Sequence, residues 1–275
     1  MKVYEKVSEI FNRHALAGVE PFALEFVYRE RHGLTKLNWV NLLRENATPE
    51  MLSELTEISN RLMAHEPPQY IVGSAIFCDL RFKVDARVLI PRPETEELVH
   101  LILAENKTEL PLNVLDIGTG SGAIAVSLAT ARPTWQLTAS DISAVALDLA
   151  QENAASNLTE IDFVLSDVFD ALTGKFDLIV SNPPYIDPAD VAEVDLSVDG
   201  HEPHGALYAG NHGLAIYEKI ARGARQHLTE NGKLYLEIGY KQGTAVKKLF
   251  EAAFPEKIVR VHQDFAGKDR MVSVR

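Results

Sequence analysis

Residues 113–122 read Asn-Val-Leu-Asp-Ile-Gly-Thr-Gly-Ser-Gly: a short apolar run that passes without a break into a glycine-rich turn. Residues 122–132 then carry helical spacing. A buried strand that feeds through a tight turn into a helix is the opening of a βαβ unit, and its turn lies where ligands bind at the carboxyl edge of a parallel sheet. Glycines let the backbone turn sharply and approach a ligand closely. Outward from this segment, strands are expected at 136–141, 162–166, 176–181 and 233–238, with helices at 144–157, 214–228 and 244–254 and two closing strands at 258–263 and 271–274. The alternation predicts a doubly wound α/β domain built on a mostly parallel sheet.

The chain has 275 residues, which suits one large domain and an accessory one. In residues 2–65, helical periodicity puts Val3, Val7, Ile10 and Phe11 on one face, Phe22, Phe26 and Val27 on another, and Leu52, Leu55, Ile58 and Leu62 on a third. Pro21 and Pro49 stand where first helical turns would begin. A bundle of about four helices is predicted over 1–67. From Gln69 the pattern turns to β-like runs at 70–72, 76–77 and 80–84, so 68–88 is expected to be a β-hairpin linker and 89–275 the α/β domain. The stretch 186–213 is long, acidic and rich in Pro, Gly and His, as active-site lids and binding loops are.

A formal charge of −12 opposes binding to a phosphate backbone, so direct contact with nucleic acid is not expected. The single cysteine, Cys78, excludes an internal disulfide and any zinc site built on several cysteines, which favours the cytoplasm. No apolar run approaches a membrane span.

Residues 176–185 read Phe-Asp-Leu-Ile-Val-Ser-Asn-Pro-Pro-Tyr. Two prolines stop the strand and leave fixed acceptors, the side-chain oxygen of Asn182 and the carbonyl of Pro183. Acceptors that grip the N–H groups of an amide or aromatic amine favour a pyramidal nitrogen with its lone pair aimed at an electrophile, so the motif fits methyl transfer to a planar nitrogen. Tyr185 would stack on or wall the flat group. Asp141, nineteen residues after Gly122, ends the second strand, where a carboxylate accepts from both ribose hydroxyls of NAD or of S-adenosylmethionine alike. Asp167 and the N–H of Val168, ending the third strand, suit an adenine amine and ring nitrogen. No hydride transfer needs the Asn-Pro-Pro-Tyr geometry at the fourth.

Together with Pro68-x-Tyr70-Ile71-x-Gly73, Leu89-Ile90-Pro91-Arg92-Pro93-Glu94-Thr95-Glu96, Asp116 to Gly122 and Ser181 to Asp187, these residues make the chain similar along nearly its full length to the HemK/PrmC family of protein-(glutamine-N) methyltransferases. The resemblance implies a class I methyltransferase, Rossmann-like with a seven-stranded sheet, preceded by a helical substrate-recognition domain and a hairpin. It implies that Gly118, Thr119, Gly120, Ser121, Gly122, Asp141, Asp167, Val168 and Asn182 hold S-adenosylmethionine, leaving S-adenosylhomocysteine as product. Asn182, Pro183, Pro184 and Tyr185 would hold the glutamine of a Gly-Gly-Gln loop in a class I peptide chain release factor, with Asn182, Pro183 and Tyr185 as the catalytic set. A monomer is expected. Val168 departs from the family pattern where some relatives carry tryptophan.

Rival readings are an adenine-specific nucleic-acid methyltransferase, opposed by the acidity, and a non-catalytic interaction module, opposed by the intact glycines, Asp141 and Asn182. His201, His204 and His212 read as a polar lid and not as metal ligands. Arg92 and Glu94 would pin the hinge or cover the cofactor. Trp39 and Trp135 read as packed aromatics, with Trp39 also placed to face a partner.

Overall fold

The structure, a computed structural model, describes residues 1–20, 22–107 and 110–275. The chain divides into two compact units, one of Met1–Ser74 with Val194–His201 and one of Ala75–Glu193 with Glu202–Arg275.

The first unit contains α1 (Val3–Leu16), α2 (Ala23–His32), α3 (Lys36–Leu42), α4 (Pro49–Met63) and α5 (Pro68–Val72). Val3, Val7, Ile10 and His14 form the buried stripe of α1, meeting Leu55, Ile58 and Leu62 of α4 in one apolar core. The caps are local: the Thr35 hydroxyl accepts the Asn38 N–H at 3.1 Å, and Thr48 accepts the Met51 N–H at 3.3 Å just ahead of Pro49. On α2 the buried side chains are Ala23, Leu24, Val27 and Tyr28. Phe22 is 72% exposed and Phe26 38%, so the expected Phe22/Phe26/Val27 face is only Val27, because the helix starts after Phe22 and turns its inner stripe elsewhere. The expectation at Pro21 lies outside the described residues. Trp39 is buried in this core, which leaves it no ring face for a partner. Residues 70–72 are helical and not strand-like: Pro67 and Pro68 start a short turn that Gly73, at φ +80°, ends.

The second unit opens with the hairpin β1 (Ser74–Phe77) and β2 (Leu80–Lys83), whose Phe77 and Phe82 pack into the core of the sheet. Then follow α6 (Pro93–Glu105), β3 (Asn113–Ile117), α7 (Ala123–Ala131), β4 (Gln136–Asp141), α8 (Ala144–Ser156), β5 (Ile161–Leu165) and β6 (Phe176–Ser181). Helix α6, which periodicity did not single out, buries Leu98, Val99 and Ile102. The expected lid at 186–213 is mostly short turns: a 3₁₀ segment Pro188–Glu193, α9 (Leu196–His201, part of the first unit), α10 (His204–Leu207) and α11 (Gly210–Gly213). The chain closes with α12 (Ala215–His227), β7 (Leu228–Glu237), α13 (Gly243–Ala253), β8 (Val259–Gln263) and β9 (Asp269–Val274).

The sheet order is β5-β4-β3-β6-β7-β9-β8, parallel from β5 to β7 and antiparallel at β9 and β8. Alternate residues face opposite layers: Leu115 and Ile179 pack with α12 and α13, whereas Val114, Leu178 and Val180 pack with α6 and α7. The chain steps outward from β3 to β5 and then returns to place β6 beside β3. That reversal is the switch point at which an open α/β sheet leaves a crevice.

Candidate active site

A cavity of about 470 Å³ occupies this edge of the sheet, inside the α/β unit. Its wall starts at the glycine turn. Gly118, Gly120 and Gly122 sit at φ +70°, +55° and +80°, a region closed to most side chains. The N–H groups of Gly118 and Thr119 both donate to the Ser140 carbonyl, at 2.8 and 2.9 Å, which ties the turn to β4. A Cβ on Gly122 would stand 3.2 Å from that of Ala150, so this glycine lets α7 pack on α8. A Cβ on Gly120 would meet no protein atom, which leaves the space over it to a ligand.

Asp141 is held by both oxygens, accepting the Gly120 N–H and the Ser143 N–H at 2.9 Å each. Its carboxyl is pushed above the ordinary range by burial, against which these backbone donors pull. Behind it, Asp116 is fully buried, accepts the Thr119 hydroxyl at 2.6 Å and has its pKa raised to about 7, chiefly by burial and further by the Asp141 charge. Asp167 pairs with Lys219 at 2.6 Å. Val168 is left-handed at φ +54°, a conformation that costs a β-branched residue of order 1–3 kcal/mol. Ser166 holds that turn, donating to the Val168 carbonyl and accepting the Ala171 N–H.

On the other side of the crevice, the Ser181 hydroxyl donates to the Ile117 carbonyl at 2.7 Å and fastens the end of β6 to β3. Asn182 Nδ2 donates to Thr95 Oγ1 at 3.1 Å, and Thr95 Oγ1 donates to Glu237 Oε2 at 2.7 Å. Among the described residues no hydrogen bond ends on the Pro183 carbonyl. The Tyr185 carbonyl accepts from Gln242 Nε2 at 3.0 Å. A Cβ on Gly213 would lie 2.0 Å from that same carbonyl, so only glycine fits there. Burial and the nearby Glu237 charge push the Tyr185 phenol up to about 12, which keeps it neutral. Glu202, itself buried, accepts the Ile90 N–H at 3.0 Å and the Arg92 guanidinium, so Arg92 pins the lid segment to the turn before α6.

Gly118, Thr119, Gly120, Ser121, Asp141, Asp167, Val168, Asn182, Pro183 and Pro184 all line the cavity. Gly122 and Tyr185 support it without lining it. Thr95, Lys219, Glu202, Glu237 and Gln242 were not singled out from sequence as parts of the site. The available signal was a charged residue, Glu237, inside the apolar run of residues 234–238. His212 bonds Asp187, His204 packs edge-on against Tyr208, and no group of three or more metal-capable side chains converges among the described residues.

Residues 95–196 match the Methyltransferase small domain family. The chain is 60% identical over 256 residues to a release factor glutamine methyltransferase of Lactococcus lactis, covering 93% of this chain and 94% of that protein. It is 50% identical over 275 residues to one of Streptococcus pneumoniae, covering 100% and 98%. A ribosomal protein L11 methylase from Lactobacillus delbrueckii shares the fold, with a TM-score of 0.51 at 22% identity over 67% of this chain and 79% of that one.

The buried carboxyls predict a pH dependence. Asp116 is raised from 3.8 to about 7 in the folded chain, so between those values the folded state binds more protons than the unfolded one. Stability contributed by this group therefore falls as pH rises across that window, by up to about 1.4 kcal/mol per pH unit. Urea melts from pH 5 to 8 should show a shallower decline in Asp116→Asn than in the wild type. Equal slopes would mean that Asp116 is ionised throughout.

Proposed function

We propose, from the premise that this chain belongs to the release factor glutamine methyltransferase family, that its α/β unit moves a methyl group from S-adenosylmethionine to the side-chain amide nitrogen of glutamine in the Gly-Gly-Gln loop of class I release factors. The chain is a methyltransferase; the residues assigned below carry the chemistry. The observation that carries the assignment is the end of β6: with Asn182 Nδ2 held by Thr95, the other end of the amide, Oδ1, is left to a substrate beside the open Pro183 carbonyl.

The cavity fits the cofactor. Asp141 supplies a carboxylate, braced by two backbone donors, for a ribose diol; Asp167 suits an adenine amine; and the open space over Gly120 admits a close-lying chain. When bound, the sulfonium supplies an electrophilic methyl group. Asn182 and Pro183 orient the acceptor by taking its two N–H groups, which draws the nitrogen lone pair out of conjugation. Tyr185 stays neutral and lies behind the cavity lining, so it supports the pocket and does not act as a base. The proton leaves to water once the new bond has made the nitrogen acidic. Residues 1–67 are assigned to recognition of the body of the protein substrate, a reading favoured by the exposed Phe22 and Phe26. A working place in the cytoplasm fits the lone cysteine, and no helix among the described residues is long and apolar enough to cross a membrane.

Calorimetry with S-adenosylmethionine should show Asp141→Ala weakened by ~1.5–3 kcal/mol as charge-assisted bonds are lost. Gly120→Val should abolish binding, because a branched side chain at φ +55° is strained and fills the ligand space. Wild-type affinity in both would move the cofactor elsewhere.

Asn182→Ala should fold normally and lose turnover by ~100-fold or more, the scale of one well-placed polar group. Near-normal turnover would reduce the motif to a strand terminator.

With labelled cofactor, a class I release factor and unmethylated DNA in one tube, label should enter the protein alone, and tandem mass spectrometry should place one methyl on the glutamine. A short Gly-Gly-Gln peptide should show a much higher KM than the intact factor. Label in DNA or on lysine would overturn the substrate assignment, and equal KM values would remove the recognition role of residues 1–67.

A further inference from the structure

Asn182 is useful to an N–H donor in only one of its two amide orientations. The side chain is nearly symmetric in shape, and reversing it would present an NH₂ group to the substrate nitrogen, donor against donor. Something must choose. Thr95 sits in the first turn of α6, is 5% exposed, and lines the same cavity. Its hydroxyl has one hydrogen. Glu237, 2% exposed at the end of β7, is the buried acceptor for it at 2.7 Å. Once that hydrogen is committed to a carboxylate, the Thr95 oxygen has only lone pairs to offer, and the group that meets it at 3.1 Å has to be the Asn182 NH₂.

Resting on the assignment of Asn182 above, we infer that Thr95 and Glu237 are positioning residues: a Glu237–Thr95–Asn182 relay fixes the amide so that Oδ1 faces the acceptor nitrogen. Neither residue needs to touch the substrate. The charged and titratable groups facing Glu237 are Glu94 on α6, Arg270 on β9, Tyr185 after β6 and Tyr217 on α12, whose hydroxyl donates to the Glu237 carbonyl at 2.8 Å. Both phenols are held neutral by burial, while the Thr95 hydroxyl, Arg270 and the Asn182 amide, which also reaches the carboxylate directly, pull the carboxyl down and Glu94 pushes it up. Burial dominates and leaves Glu237 at about 7. A protonated Glu237 could donate to Thr95, freeing the threonine hydrogen and permitting the reversed amide. The relay therefore carries a condition: it selects the productive orientation only while Glu237 is ionised.

The test compares Thr95→Val, nearly the same shape without the hydroxyl, with Thr95→Ser, which restores it, and runs Asn182→Ala alongside. Thr95→Val should lose kcat by ~10- to 100-fold, since one orienting contact is removed and not the acceptor itself. KM for the release factor and cofactor affinity should stay within about three-fold, because the glutamine amide is a small part of the contact. Thr95→Ser should recover most of the rate, which a loss of packing alone would not allow. Wild-type single-turnover rates should also fall as pH drops below about 7 while cofactor binding holds, a readout that needs no variant to fold. Full activity in Thr95→Val with Asn182→Ala inactive would overturn the relay and leave the active-site reading standing. Activity in both would overturn that reading itself. A single-turnover rate unchanged from pH 5.5 to 8 would also count against the relay.

Discussion

Strand β6 stops at Ser181 because the prolines that follow Asn182 have no N–H to extend a ladder, and this termination beside β3 is the constraint on which the rest of the site depends. A strand that ran on would spend its carbonyls on a neighbour. Instead the Ser181 hydroxyl fastens the end of β6 to the Ile117 carbonyl, one residue before the Gly118 turn begins. The Gly118 turn and the Asn182–Pro183 end of β6 are thus fixed to each other across one strand pair, β3 and β6, at the position where the sheet order reverses. Transfer between two ligands needs that relation to be rigid.

Around this pair the protein buries carboxylates in pursuit of geometry. Asp141 is braced by two backbone donors, Asp116 holds the threonine of the glycine turn, Glu202 gathers Ile90 and Arg92, and Glu237 anchors Thr95. Each loses hydration, and for Asp116, Asp141 and Glu237 the loss is visible as a raised pKa. Buried polar networks of this kind cost stability relative to an apolar core but hold side chains in one arrangement. The proposed aim of Asn182 and Pro183 at a substrate nitrogen needs that fixity.

The order of strands and helices from 113 onward was legible because periodicity and glycine placement report on local backbone. So was the gathering of Gly118 to Ser121, Asp141, Asp167 and Asn182 to Pro184 along one cavity, since strand ends in a doubly wound sheet converge whatever the intervening helices contain. Thr95 and Glu237 were not, because 142 residues separate them and only the folding of α6 against β7 joins them. Helix α6 hid behind the Pro-rich run that opens it, and 70–72 read as a strand because Tyr-Ile-Val has strand composition while Pro68 and Gly73 dictate a helical turn. The exposure of Phe22 followed from a helix start that the neighbouring residues did not advertise.

In the proposed reaction, two fixed acceptors at the end of β6 grip the nitrogen that receives the methyl group. The most direct measurement is a crystal structure of the chain with S-adenosylhomocysteine and a Gly-Gly-Gln peptide. The glutamine amide nitrogen should lie at about 2.9 Å from both Asn182 Oδ1 and the Pro183 carbonyl oxygen, with its face toward the sulfur. A glutamine whose carbonyl oxygen met Asn182 Nδ2, or whose nitrogen lay out of reach of both oxygens, would contradict it.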